Sequence, residues 1–223
     1  WGFRNMLDRK RALTKDGKHI QKEYETCNLK FYPESGHLVE NIETLVAYEL
    51  TDKEGMDICE EISIFANNRL LLKTSPLHLG KGVFKMTPRI GVKYHASVKT
   101  KSKTGKRKSH SFSLPPVESN GVVINTLAEN DSIRFRIVYN TFDSIAHGFA
   151  ILHRSKIGYY NRLQGDTTLI CICKNDLPEG VSRAIVFRGR VPLAERMFFI
   201  EHDSVQKNDK GCIMNLIILL RPY

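Results

Sequence analysis

Four groups of residues in this sequence are of types that could serve catalysis, metal binding or phosphate binding. Glu201, His202 and Asp203, in the run IEHDS, combine a base with two carboxylates. In a strand, however, consecutive side chains point to opposite faces, so His202 faces away from both, and a general base needs its orienting partner within hydrogen-bond reach. Cys171 and Cys173 in LICIC would share one strand face, and with His202 and Cys212 they are the nearest thing to a zinc set. The sequence has neither a CxxC pair nor a fixed histidine spacing to support one, and small thiols in a buried strand are ordinary packing. Gly80 and Gly82, in LGKGVFK, lack the remaining positions of a phosphate-binding loop. His147 and His153, in AHGFAILH, read as structural. With no nucleophile, base and orienting group in combination, the expectation is a non-enzyme without metal or cofactor.

The chemistry that remains is charge. The stretch KTKSKTGKRKSHSFSLPP, residues 99–116, opens with Lys99, Lys101, Lys103, Lys106, Arg107 and Lys108 within ten positions and contains no carboxylate. The net charge of +10 is unevenly spread: +5 over residues 1–22, −8 over 23–72, +11 over 73–117 and +2 over 118–223. A basic excess confined to two segments is a directed surface that concentrates polyanions or anionic membranes. The acidic block between them is expected to shield the basic segment or to meet that of a neighbouring molecule. Each phosphate neutralised releases counterions, giving a slope of about −0.7 per contact in log K against log salt for single strands. The alternative use of the same lysines is to keep an exposed turn from aggregating.

Periodicity places these charges on strands. Ile90, Val92, Tyr94, Ala96 and Val98 alternate with polar residues that include Lys93 and Lys99, as in a strand with one buried and one wet face. Thr104-Gly105 suits a reversal, Phe112 and Leu114 return to one face, and Pro115 and Pro116 cannot continue the pairing. The reading is a basic β-hairpin over 90–114. Tyr94, Phe112 and Tyr139 fall on core faces, away from any stacking role. Ile133, Phe135, Ile137 and Tyr139 alternate with Arg134 and Arg136, a second basic stripe. Further strands are expected at 122–126, 149–153, 168–174, 183–187, 197–201 and 213–220, separated by turn clusters such as NDLPEG and QKNDKG. The spacing predicts a mainly β fold, a β-sandwich or jelly-roll-like architecture. Between residues 36 and 62 the apolar spacing of Leu38, Val39, Ile42, Leu45 and Val46 predicts a surface helix capped by Ser35 or Gly36. A second helix is expected over 53–62, weakened by Gly55. With those helices the alternative class is α+β.

The domain reading is a basic N-terminal arm, 1–22, followed by a single β-rich domain, 23–223. In the arm, Trp1, Phe3, Met6 and Leu7 are interleaved with Arg4, Arg9, Lys10 and Arg11, a pattern that suits a nucleic-acid arm or an anionic membrane surface. A chain of 223 residues, 41% hydrophobic and 26% charged, has globular make-up. Its longest nearly apolar run, CIMNLIILL at 212–220, is short of the roughly 20 residues a membrane helix needs. The start at Trp1, with no apolar signal core, leaves targeting unread. Five widely spaced cysteines fit a reducing compartment, cytoplasmic or nuclear.

In overall make-up the chain resembles the compact basic coat, matrix and movement proteins of RNA viruses, a likeness of composition over no defined segment. For such a protein the location would be the virion or the host cell interior. The function expected is therefore a structural or assembly protein that binds nucleic acid without sequence preference, RNA ahead of DNA, since no recognition helix, zinc finger or ribonucleoprotein-type motif is present. Peripheral association with anionic lipid is the rival. A homo-oligomer is expected through the acidic segment 38–62 or through edge strands.

Overall fold

The computed structural model describes residues 26–101, 107–129, 131–140 and 145–202. Nine strands build the first half: β1 (Cys27–Pro33), β2 (Leu38–Val39), β3 (Thr44–Asp52), β4 (Ile62–Ala66), β5 (Arg69–Thr74), β6 (Lys81–Met86), β7 (Tyr94–Lys101), β8 (Arg107–Ser113) and β9 (Val117–Glu118). They form one sheet of order β1-β3-β6, a second of order β5-β4-β7-β8, and a two-residue parallel pair β2-β9. Tyr48, Leu50, Ile62, Ile64, Ala96 and Val98 close this first core. The second half contains β10 (Val122–Ala128), β11 (Ser132–Tyr139), β12 (His147–His153), β13 (Lys156–Leu163), β14 (Thr167–Cys173), β15 (Gly180–Arg188) and β16 (Val191–Ile200). Its sheets, β10-β11-β14 and β13-β12-β15-β16, enclose a second core. There Phe135 packs against Phe149 and Phe198, with ring centroids 5.1 and 5.2 Å apart. Burying each such ring contributes roughly 1.5–3 kcal/mol. The class is mainly β and sandwich-like, as expected. Where a single domain was expected over 23–223, the buried apolar residues among those described gather into two principal cores.

The expected helices over 36–62 are strands and turns, a correction with two physical causes. Asn41 takes a left-handed conformation at φ 61°, which a helix cannot accommodate. The run after it alternates, with Val46, Tyr48 and Leu50 all fully buried, so β-branched and aromatic packing outweighs the helical spacing of the leucines. At 52–57 the Asp52 carboxylate accepts from the backbone N–H of Glu54 (2.9 Å) and Met56 (2.8 Å). This is an Asx-type turn, and Gly55 completes it at φ 78°.

A seam joins the two halves. The short 3-10 turn Glu34–Gly36 lies along the free edge of β10, and its side chains take the place of a neighbouring strand. Ile124 N–H donates to Ser35 Oγ at 2.8 Å, and Ser35 Oγ donates back to the Ile124 carbonyl at 3.3 Å. Thr126 N–H donates to Glu34 Oε1 at 3.2 Å, and His37 Nε2 donates to the Val122 carbonyl at 3.2 Å. Arg196, from β16, reaches the same Glu34 carboxylate at 3.5 Å. Both members of that pair are buried. Val39 and Ile42 pack on Val123 beside it.

Candidate polyanion interface

The expected hairpin forms, with β7 and β8 paired from His95↔Ser113 to Lys101↔Arg107. It begins at Tyr94 rather than Ile90, because Gly91 turns the chain at φ 79° and Val92 N–H returns to the Arg89 carbonyl. Lys93 therefore sits exposed in the approach turn, where its backbone N–H donates to Asn67 Oδ1 at 2.9 Å. Tyr94 and Phe112 pack against the first core, and Tyr139 is buried in the second.

Alternation sorts the hairpin's residues. Ala96, Val98 and Thr100 are buried, which leaves His95, Ser97 and Lys99 on the outer face of β7. On β8 the residues registered with them are Ser113, Ser111 and Ser109, and Arg107 is registered with Lys101. Lys108 lies opposite Thr100, on the other face. There Thr100 Oγ1 and His110 Nε2 share a hydrogen bond at 2.9 Å. Burial, and secondarily the charge of Lys108, holds the His110 imidazole below its ordinary value of 6.5. The Lys101 side chain, Lys103, Lys106, and the arm residues Arg9, Lys10 and Arg11 lie outside the described residues.

The acidic block neutralises only part of the basic segment. Lys81 pairs with Glu49 (3.2 Å) and Asp57 (3.9 Å), Lys85 with Glu43 (3.7 Å) and Lys73 with Glu61 (3.0 Å). Lys81 and Lys85 belong to β6, on the sheet opposite the hairpin. Among the described residues, no carboxylate is within ion-pair distance of Lys93, Lys99, Arg107 or Lys108. The paired lysines lie on β6, beside β3, and on the far edge strand β5, and the described cations of the hairpin are left without a carboxylate.

Arg134 and Arg136 stand exposed on the outer face of β11, as expected. Arg134 pairs with Glu129 at 3.0 Å, and Arg136 donates to Asn125 Oδ1 at 3.3 Å. They lie over the second core, so the two basic stripes belong to different sheets.

One pair of residues escaped sequence reading. The rings of Phe65 (β4) and His95 (β7) stack face to face, centroids 5.0 Å apart and planes 6° from parallel. Both are half-buried on the same outer face as Ser97 and Lys99. The faint signal was the alternation of Ser63 and Phe65 with buried Ile62 and Ile64.

The residues considered for catalysis are otherwise engaged. His202 Nε2 lies 3.1 Å from the Lys174 carbonyl and 2.9 Å from that of Leu177, so it pins a turn. His153 Nδ1 meets Ser182 Oγ at 3.2 Å, and His147 packs edge-on against Tyr139. Among the described residues, no three His, Cys, Asp or Glu side chains gather as a metal site. Cys171 and Cys173 are exposed rather than buried, and no described helix is long and apolar enough to cross a membrane.

No protein-family model and no curated protein matches the chain. Among solved structures it is similar to a bacterial ice-binding adhesin from work on host cell surface retention, at 12% identity and a TM-score of 0.35 over 82% of this chain. It is also similar to the fibronectin(III)-like modules of Clostridium thermocellum CbhA, at 8% identity and 0.26 over 82%. A third is the central fibronectin-III array of RIM-binding protein, at 10% and 0.29 over 81%. The chain spans 66% of the adhesin, 100% of the CbhA modules and 73% of the array. At these scores the likeness carries no argument about activity or partner.

Proposed function

We propose that this protein is a non-enzymatic binding module, two β-sandwich units carrying a cationic hairpin that docks along single-stranded nucleic acid without sequence preference. The observation that carries the reading is the outer face of β4-β7-β8. It combines Lys99 and Arg107, unpaired with any described carboxylate, with the serines of β8 and the Phe65–His95 stack. Cationic side chains follow a phosphate backbone, and a planar ring pair accepts any base, because every base has a π-face. A viral structural role rests on composition alone and adds nothing to this reading.

The test is fluorescence anisotropy with a labelled single-stranded RNA, compared with the same sequence as DNA and with anionic vesicles at equal salt. Binding to both strands, indifferent to sequence and steeply weakened by salt, is expected. Tighter association with vesicles would replace nucleic acid by lipid as the partner, and no association with any polyanion would overturn the reading.

A further inference from the structure

Edge strands present unpaired backbone groups, and natural sheets blunt them with charge, cover or brevity. The edges here follow that rule with one exception. Among the described edges, β1 carries Lys30, β6 Lys81 and Lys85, and β5 Arg69 and Lys73. Likewise β8 carries Arg107 and Lys108, β13 Lys156 and Arg162, and β16 Glu195 and Arg196. The pair β2-β9 is only two residues long. β10, VVINTLA, has no charge, but its free edge is capped by Glu34, Ser35 and His37. β14, TTLICIC, has no charge and, among the described residues, a single sheet neighbour, β11. Its outward residues are Thr167, Leu169, Cys171 and Cys173, and Leu169 is 73% exposed.

We infer that β14 is the site at which two copies of this chain associate, by antiparallel pairing of β14 with β14 of the second copy about Ile170. A second copy fits because the strand is complementary to itself in that register. Ile170 meets Ile170, Thr168 meets Ile172, Thr167 meets Cys173 and Leu169 meets Cys171. All seven residues are paired, each residue meets one from the same face, and no charge enters the junction. The exposed Leu169 gains an apolar neighbour, and the three-stranded sheets of two copies become one of six strands. The pairing also sets the Arg134 and Arg136 stripes of both copies on one face. It goes beyond the polyanion reading and does not depend on it.

A single strand pair is small beside the roughly 1,200–2,000 Å² of stable interfaces, so association on the order of 10–100 μM is expected. Sedimentation equilibrium in reducing buffer, up to about 1 mM chain, should show a monomer–dimer equilibrium. In L169K/C171K the ammonium groups introduced on one copy stand directly opposite those of the second, and like charges so placed are destabilising. Leu169 and Cys171 register with Arg136 and Arg134 of β11, so the melt of L169K/C171K should fall somewhat while that of L169E/C171E holds, and self-association of each weakens at least about tenfold. Mixing L169K/C171K with L169E/C171E should restore the dimer. A wild-type chain monomeric across the range would overturn the proposal, as it would be if residues 203–223 of the same chain occupied the edge. Unchanged association of L169K/C171K would overturn it equally.

Discussion

The seam and the hairpin both concentrate charge, and they treat it in opposite ways. At the seam, Glu34 and Arg196 are withdrawn from water, 3.5 Å apart, and the Glu34 carboxylate also accepts from Thr126 N–H and Asn125 Nδ2. At the hairpin, Lys99, Arg107 and Lys108 are exposed, without a described carboxylate. Burial pulls the Arg196 guanidinium down from its ordinary value and Glu34 pushes it back up. Arginine does not deprotonate in proteins, so the tension at Arg196 is met by keeping Glu34 beside it. The lesson concerns what each charge is for. A charge held between two units serves the fold, and removing its partner leaves an uncompensated ion. A charge left in solvent with no partner has no stabilising work to do, so its role is sought outside the molecule.

The largest expected effect breaks the seam. Glu34→Ala strands Arg196 and frees the β10 edge, and should lower stability by about 3–5 kcal/mol in urea denaturation. A loss under about 1 kcal/mol, the range of a solvated surface pair, would erase the contrast with the hairpin. Ile137→Ala, in the second core, gives a purely apolar scale for the same unit, at about 2–5 kcal/mol. A mild effect there would contradict the strand facing.

A smaller effect sharpens the hairpin side. His110 is held below 6.5 by burial and by Lys108, so the folded state favours neutral imidazole. Its contribution to stability is fully present above the unfolded value and is lost as pH falls from 6.5 toward the folded value. In NMR titration His110 should protonate below the free-histidine range, and Lys108→Gln should move it upward. A His110 that titrates identically in the two proteins would separate the two residues. The smallest effect is on stability at the hairpin itself. Replacing Lys99, Arg107 and Lys108 by Gln should leave unfolding within about 0.5 kcal/mol of wild type.

Much of this contrast was invisible in the sequence. The second half was legible because Ile133, Phe135 and Ile137 are buried and Arg134 and Arg136 exposed, a two-residue period that also fixes the sheet face. The hairpin was legible for the same reason, aided by Pro115 and Pro116. β13 was not, because its edge position leaves Ile157 and Tyr160 exposed and blurs the alternation. β3 was misread because a two-residue strand, a left-handed Asn41 and a long strand together mimic helical spacing. The seam had no local signature at all. Glu34 and Arg196 stand 162 positions apart in the chain, and Ser35 reaches Ile124 from φ 68°, a conformation no pattern of hydrophobicity announces. The Phe65–His95 stack is likewise a product of strand order, since β4 meets β7 only after β5 has paired along its other side and β6 has joined the other sheet.

The salt dependence of single-stranded RNA binding tests the central claim most directly, measured for wild type, for K99Q/R107Q/K108Q and for K81Q/K85Q. With about 0.7 in slope per phosphate contact, the hairpin variant, of whose charges Lys99 and Arg107 lie on the docking face, should lose a slope of about 1.4 while the β6 variant, whose lysines already face Glu43, Glu49 and Asp57, keeps the wild-type slope. Equal slopes in wild type and the hairpin variant, or a loss confined to the β6 variant, would contradict the account.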